Sequence, residues 1–449
     1  MDLIALLPQL SGLFYTVVSF VVALSVIVAV HEYGHYIVGR WSGIHAEVFS
    51  LGFGPVLWSR HDKRGTKWQI AALPFGGYVK FLGDADAASG KDSDVIKAAA
   101  ADPVQLRRTM HGAPLWARAA TVVAGPVFNF VMSIAVFASL SLYFGMVRDP
   151  LTVGSLVPVP GVENTLRSGD ELLEVGGKPV PALNDTVAWT EFRDALPLTP
   201  SLDYLVRRDG MELSLTDTHF APAYVASVTP RSAAADAGLQ AGDFITAVDG
   251  EPVFAFGQLV DKVAETKGSE LSLEISREGA TLEMSLSPRQ MDLPTADGGF
   301  TSRWLIGIGG GNLIEYETVP TSIGRALSTG VGQVWTVVHS SISGLGHIIT
   351  GAISTCNLSG PIGIAKASSD TASQGAASFI RFIAVLSTAV GLLNLFPIPA
   401  LDGGHLVFYA YEAVVGRPPS DRAMQILMTV GIAMILSLMV FALSNDIFC

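Results

Sequence analysis

HEYGH, residues 31–35, closes the apolar run LSGLFYTVVSFVVALSVIVAV that begins at Leu10. That run has the ~20 residues a bilayer-spanning helix requires. On a helix, His31 and His35 are four residues apart and share one face. Two neutral imidazoles on one face can bind one zinc ion, with Glu32 beside them to take a proton from water. Ionisable groups at the end of a membrane-length helix are costly, and they mark function by default. Catalytic zinc takes three protein ligands and keeps one position open. A third ligand must therefore come from elsewhere in the chain.

One stretch offers it: NLFPIPALDGGHLVFYAY, residues 394–411. Asp402 is the only charged residue between Arg381 and Glu412, and neutralising a bound cation is a reason to keep it there. Pro397 and Pro399 break the helix and let Asp402 sit on a turn at membrane depth. His405 is left out of the ligand set, which Asp402 already completes.

Composition agrees with a membrane protein that carries sizeable soluble parts. Of 449 residues, 49% are hydrophobic and 15% charged, against about a quarter charged in soluble domains. Mean hydropathy is +0.44. A net charge of −12 argues against nucleic acid, which needs basic patches. Two cysteines, Cys356 and Cys449, are too few for a zinc knuckle or a disulfide scaffold. The start, MDLIALLPQL, lacks Lys and Arg, so the first apolar run reads as a retained helix rather than a signal peptide.

Four stretches reach spanning length: about Leu13–Val38, Thr121–Gly145, a third from about Phe379, and Met424–Leu443. The loop after the first helix is rich in bases, among them Arg60, Lys63, Arg64, Lys67, Arg107, Arg108 and Arg118, and the last short loop holds Arg417 and Arg422. By the positive-inside rule both loops are cytoplasmic, and both termini lie outside. Arg148 and Arg381 run against this assignment.

The expected organisation is helix one with its histidines (1–40), a cytoplasmic loop (41–118), helix two (119–147), two outer modules (148–220 and 221–310), a linker with amphipathic segments (311–378), helix three with Asp402 (379–410), and a last loop and helix (411–449). Within the outer segment, SGDELLEVGGKPV (168–180) aligns with AGDFITAVDGEPV (241–253). Gly-Gly and Asp-Gly between alternating apolar residues signal hairpins. The stretch VTPRSAAADAGLQAGDFITAVDG resembles the signature of a PDZ domain, and the first copy lacks its Ala-Gly-Leu step. Such modules bind an extended peptide at a sheet edge; a module that only blocks access is the other reading.

In the cytoplasmic loop, VFSLGFGPVLW and WQIAALPFGGYVKFLG flank RHDKRGTK and read as a β-hairpin. It can dip into the membrane only if protein covers its backbone. DADAASGKDSDVIKAAAADP reads as a flexible linker, and VQLRRTMHGAPLWARAA as an amphipathic surface piece.

HEYGH, GPVFNF (125–130), NLFPIPALDGGH and the repeat, in this order and topology, resemble the site-2 protease family of intramembrane zinc metalloproteases. The resemblance covers nearly the whole chain. It implies a polytopic α-helical membrane protein: four transmembrane helices, a membrane-associated β-hairpin and two tandem PDZ-like α+β domains. It implies zinc held by His31, His35 and Asp402, and water activated by Glu32. Substrate would be handled by Asn394 and Pro397 and by Gly76, Gly77 and Tyr78 on the hairpin, whereas Gly125 and Asn129 would pack helices. The implied partners are the lipid bilayer and a single-pass membrane protein, such as an anti-sigma factor already trimmed on its outer side or a remnant signal peptide. The implied location is the bacterial inner membrane, with the PDZ-like pair and both termini periplasmic. Two other classes remain open: a membrane scaffold acting through its PDZ-like domains without catalysis, and a metal transporter.

Overall fold

A computed structural model describes residues 3–85, 90–159, 162–183, 185–229, 232–294 and 300–448. The first two residues and Cys449 lie outside them. The chain forms two compact units: Met1–Ser141 with Ile323–Ile349 and Thr355–Cys449, and Leu142–Ser322 with Thr350–Ser354.

The first unit is helical. Its elements are α1 (Leu3–Trp41), α2 (Ser93–Ala99), α3 (Pro103–Arg107), α4 (Leu115–Phe144), α8 (Ile323–Ile349), α9 (Pro361–Ser373), α10 (Ala376–Asn394), α11 (Asp402–Val415) and α12 (Asp421–Phe448). Among the described residues four helices are long and apolar enough to cross a membrane: α1, α4, α10 and α12. Small residues bring their backbones together, as packing in lipid favours. A Cβ on Gly34 of α1 would sit 2.5 Å from the Ala124 carbonyl oxygen of α4. The Ser133 hydroxyl donates across to the Ala384 carbonyl of α10 at 2.8 Å. Most of α12 is exposed apolar surface, and its buried residues are Gly431, Ala442 and Asn445. Next to them, Asp446 caps α9, accepting the N–H groups of Gly360, Ile362 and Gly363 at 2.9–3.1 Å.

Two stretches of the loop between α1 and α4 have defined structure. The amphipathic piece divides between α3 and the start of α4. Asp102 caps α3, with Pro103 in its first turn; the Thr109 hydroxyl then takes the Gly112 N–H at 2.9 Å, and α4 starts only after Pro114. Within the polar linker, Asp92 caps α2, and Asp84 is buried with Oδ1 3.3 Å from His111 Nε2. Burial pushes the Asp84 carboxyl above its ordinary range.

Strands β1 (Ala46–His61) and β2 (Lys67–Phe81) form the expected hairpin, but it folds back on itself. Residues 48–51 pair with 77–80 on one side and 67–70 on the other, and 67–71 pair further with 56–61. The chain can bend this way because Gly52 and Gly54 adopt φ of +89° and +82°, open to glycine at no steric cost. Residues 77–81 therefore form an edge strand. One face packs Phe49, Val79 and Phe81 against Tyr36 and Ile44, while Leu57, Trp58 and Phe75 stay exposed.

The second unit is nested. Strand β3 (Met146–Val147) pairs with β18 (Thr318–Val319), β4 (Val153–Leu156) with β17 (Ile314–Tyr316), and β9 (Val225–Val228) with β16 (Ile308–Gly310). A further hairpin joins β14 (Arg289–Pro294) and β15 (Phe300–Leu305). Two four-stranded sheets share one order. The first runs β6 (Lys178–Pro179), β5 (Glu171–Val175), β7 (Ser201–Arg208), β8 (Met211–Thr218), with α5 (Thr186–Asp194) between β6 and β7 in the chain. The second runs β11 (Glu251–Pro252), β10 (Phe244–Val248), β12 (Leu271–Arg277), β13 (Ala280–Leu286), with α7 (Phe256–Glu265) similarly placed and α6 (Ala233–Ala237) ahead of β10.

The repeated Gly-Asp has a physical role. Asp170 accepts the Arg167 N–H and a two-pronged contact from Arg208; Asp243 accepts the Gln240 N–H and the same fork from Arg277, with all four fork distances 2.7 Å. Both carboxylates are buried, and forked, charge-assisted bonds are how a buried carboxylate is kept satisfied. The boundaries differ from expectation at the far end. Leu313 and Ile314 belong to the core of the first module, with Leu151, Leu172 and Tyr204, so that module does not end at 220. Strands as short as these, paired with segments as distant in the chain as Leu156 is from Ile314, leave no periodic signal.

Candidate metal centre

His31 and His35 lie in the last turns of α1, and Asp402 is the first residue of α11. What places Asp402 there is the double glycine behind it. A Cβ on Gly403 would overlap the carbonyls of Leu395 and Phe396, and one on Gly404 would meet Pro399 Cα at 2.6 Å. The turn between α10 and α11 thus folds directly onto the start of α11. On the other side, a Cβ on Gly431 of α12 would meet the Pro399 carbonyl at 2.9 Å, so a third helix braces the same turn.

The three side chains converge. His31 Nε2 is 3.1 Å from Asp402 Oδ2, His35 Nε2 is 3.5 Å from it, and the two Nε2 atoms are 3.1 Å apart. Tetrahedral zinc with bonds of ~2.0–2.1 Å has ligand–ligand edges of ~3.3 Å, so the set has the size of one zinc face. Among the described residues this is the group of three or more such side chains that could hold a metal ion. Asp402 Oδ2 is buried with no hydrogen-bond donor, as an atom reserved for a cation would be. The residues present therefore fit the metal.

Helix α4 supplies the surroundings. Thr121, Gly125 and Asn129 are spaced by four and form one stripe facing α1. The Thr121 carbonyl lies 2.9 Å from His35 Nδ1. Asn129 Nδ2 lies 3.3 Å from His31 Nδ1. Between them, a Cβ on Gly125 would overlap the His35 ring and come 2.8 Å from that of His31. Gly125 and Asn129 thus touch the histidines, whereas the sequence ranks helix packing as their first role. The signal was available in GPVFNF: its glycine and asparagine are themselves one helical turn apart.

Glu32 faces β2. A Cβ on Gly77 would come 3.0 Å from Glu32 Cγ and 2.8 Å from Val28 Cγ1. Gly76 and Tyr78 flank that point, with the Tyr78 ring stacked on Phe53 at 6.0 Å. Asn394 ends α10, and its side-chain amide donates to its own helix at the Val390 carbonyl, 3.1 Å away. Pro397 lies in the turn before Asp402.

The sequence matches peptidase family M50 over residues 19–438. The chain belongs to that family. It is 33% identical to the regulator of sigma-E protease RseP of Escherichia coli, covering 95% of this chain and 97% of that one. RseP of Salmonella typhimurium is 32% identical, with 97% and 99% covered. A protein of Agrobacterium fabrum whose name describes a zinc metalloprotease is 36% identical, with 96% and 95% covered. Locally, 20% of the chain matches 92% of the PDZ domain of an SdrC-like protein from Listeria innocua, at 25% identity and a TM-score of 0.17. As an M50 member the chain is a site-2 type zinc metalloprotease with membrane-length helices.

Proposed function

We propose that the chain hydrolyses single-pass membrane proteins within their apolar segment, using zinc held by His31, His35 and Asp402. The observation that carries this reading is the convergence of those three ligand atoms at the end of a membrane-length helix, with Glu32 alongside. Zinc, when bound there, supplies Lewis-acid chemistry, polarising a carbonyl and acidifying water. Glu32 takes the proton of the attacking water and returns it to the departing amine, since a general base must serve as a general acid later in the same cycle.

A transmembrane helix hides its carbonyls in internal hydrogen bonds. The edge strand 77–81 runs past Glu32, and an extended segment added to that edge would expose its carbonyls beside the metal. This is the work proposed for Gly76, Gly77 and Tyr78. Asn394 and Pro397, in the α10–α11 turn, would hold the unwound backbone from the other side. An anti-sigma factor trimmed outside the cytoplasm is the proposed substrate, with remnant signal peptides second. The bacterial inner membrane is the proposed location, with both termini and the PDZ-like modules periplasmic. A scaffold without catalysis would leave the matched ligand set and its adjacent carboxylate unused.

The test is to co-reconstitute the full chain with a single-pass substrate in liposomes and map the product termini by mass spectrometry. Cuts inside the apolar span, abolished by a chelator and restored by zinc, are expected. Cuts confined to the aqueous flanks would overturn the proposal.

A further inference from the structure

We infer that Asn129 is a positioning residue for the metal centre: its side-chain carbonyl accepts the Nδ1–H of His31 and so fixes Nε2 as the metal-facing lone pair. The inference rests on the assignment of zinc to the trio. His35 shows the arrangement a ligating imidazole needs. Its Nδ1 lies 2.9 Å from the Thr121 carbonyl, which can only accept, so that nitrogen carries the hydrogen and Nε2 is left free. His31 needs the same arrangement, because its Nε2 is the atom near Asp402 Oδ2 and His35 Nε2. The side chain within reach of His31 Nδ1 is the Asn129 amide, at 3.3 Å.

The two ends of an amide have the same shape, and which is oxygen follows from the hydrogen-bond network. With nitrogen toward His31, Asn129 would donate to Nδ1 and force the hydrogen onto Nε2, closing the ligand atom. With oxygen toward His31, the carbonyl accepts, and Nε2 opens toward the metal. A partner of this kind fixes the tautomer and ring orientation of a ligating histidine.

Asn129 is held firmly enough for the task. It is fully buried, its backbone carbonyl accepts the Ser387 hydroxyl at 3.2 Å, and Gly391 of α10 leaves room for its Cβ, which an added methyl there would meet at 3.2 Å.

Zinc affinity of the purified full chain, read by competition with a chromophoric chelator, tests the inference. Asn129→Leu keeps the shape without an acceptor, and affinity is expected to fall ~10–100-fold. Asn129→Asp keeps the acceptor and removes the donor, and is expected to bind zinc at least as tightly as wild type. Unchanged affinity in Asn129→Leu, or a loss in Asn129→Asp equal to that in Asn129→Leu, would overturn the inference. If Asn129→Leu does not fold, Asn129→Asp alone decides, since a donor role predicts loss where an acceptor role predicts none. His31→Ala separates the premises: unchanged affinity there removes the trio itself, whereas its loss with Asn129→Leu unaffected removes only the role of Asn129.

Discussion

Glu32→Gln binds zinc as wild type does and cleaves ~10²–10⁴-fold more slowly. The range is what a positioned general acid–base contributes. Zinc is retained because Glu32 supplies none of the three converging atoms. Catalysis is lost because an amide cannot accept the proton of water. Gln has the shape of Glu, so the contact with Gly77 and the course of β2 past α1 persist. Single-turnover cleavage of a reconstituted substrate and zinc content are measured on the same preparation. Wild-type turnover with zinc bound would remove Glu32 from the chemistry.

Gly125→Leu loses zinc and activity together, the cleavage rate falling by more than ~10²-fold, since a displacement of ~1 Å at reacting groups suffices for that. Even a single methyl at this position overlaps the His35 ring. The overlap cannot relax along α1, because the neighbouring contact of Gly34 on the Ala124 carbonyl already brings the two helix backbones together. Either the imidazoles turn away from Asp402 or α1 and α4 separate. A substitution that only loosened helix packing would lower thermal stability and leave the affinity of the remaining folded protein intact. Zinc titration together with a thermal melt distinguishes the two. Wild-type affinity in a folded Gly125→Leu would contradict the geometry.

The four long helices were legible because ~20 apolar residues in a row have few other uses. The pairing of HEYGH with Asp402 was legible because a lone carboxylate in apolar sequence needs a reason to exist. The Gly-Asp repeat was legible as a repeat, though not as a buried Asp–Arg fork, since Arg208 and Arg277 lie more than thirty residues beyond their partners. Three things were hidden. The hairpin folds into a small sheet with 77–81 at its edge through the conformations of Gly52 and Gly54, and a glycine in sequence does not announce its sign of φ. The nesting of β4 with β17 and β9 with β16 is set by long-range pairing alone. The α4 stripe of Thr121, Gly125 and Asn129 contacts the histidines through a carbonyl, an absent Cβ and an amide, and only the second and third of these are written in side-chain identity.

Two histidines near the end of α1 and one aspartate at the start of α11 are proposed to hold the zinc on which cleavage depends. Zinc titration of Asp402→Asn beside wild type tests it most directly. The amide keeps the shape and removes the charge and the free carboxylate oxygen, so the loss in affinity is expected to exceed the ~10–100-fold typical of a residue that only orients a ligand. Tight, stoichiometric zinc in Asp402→Asn would contradict the account.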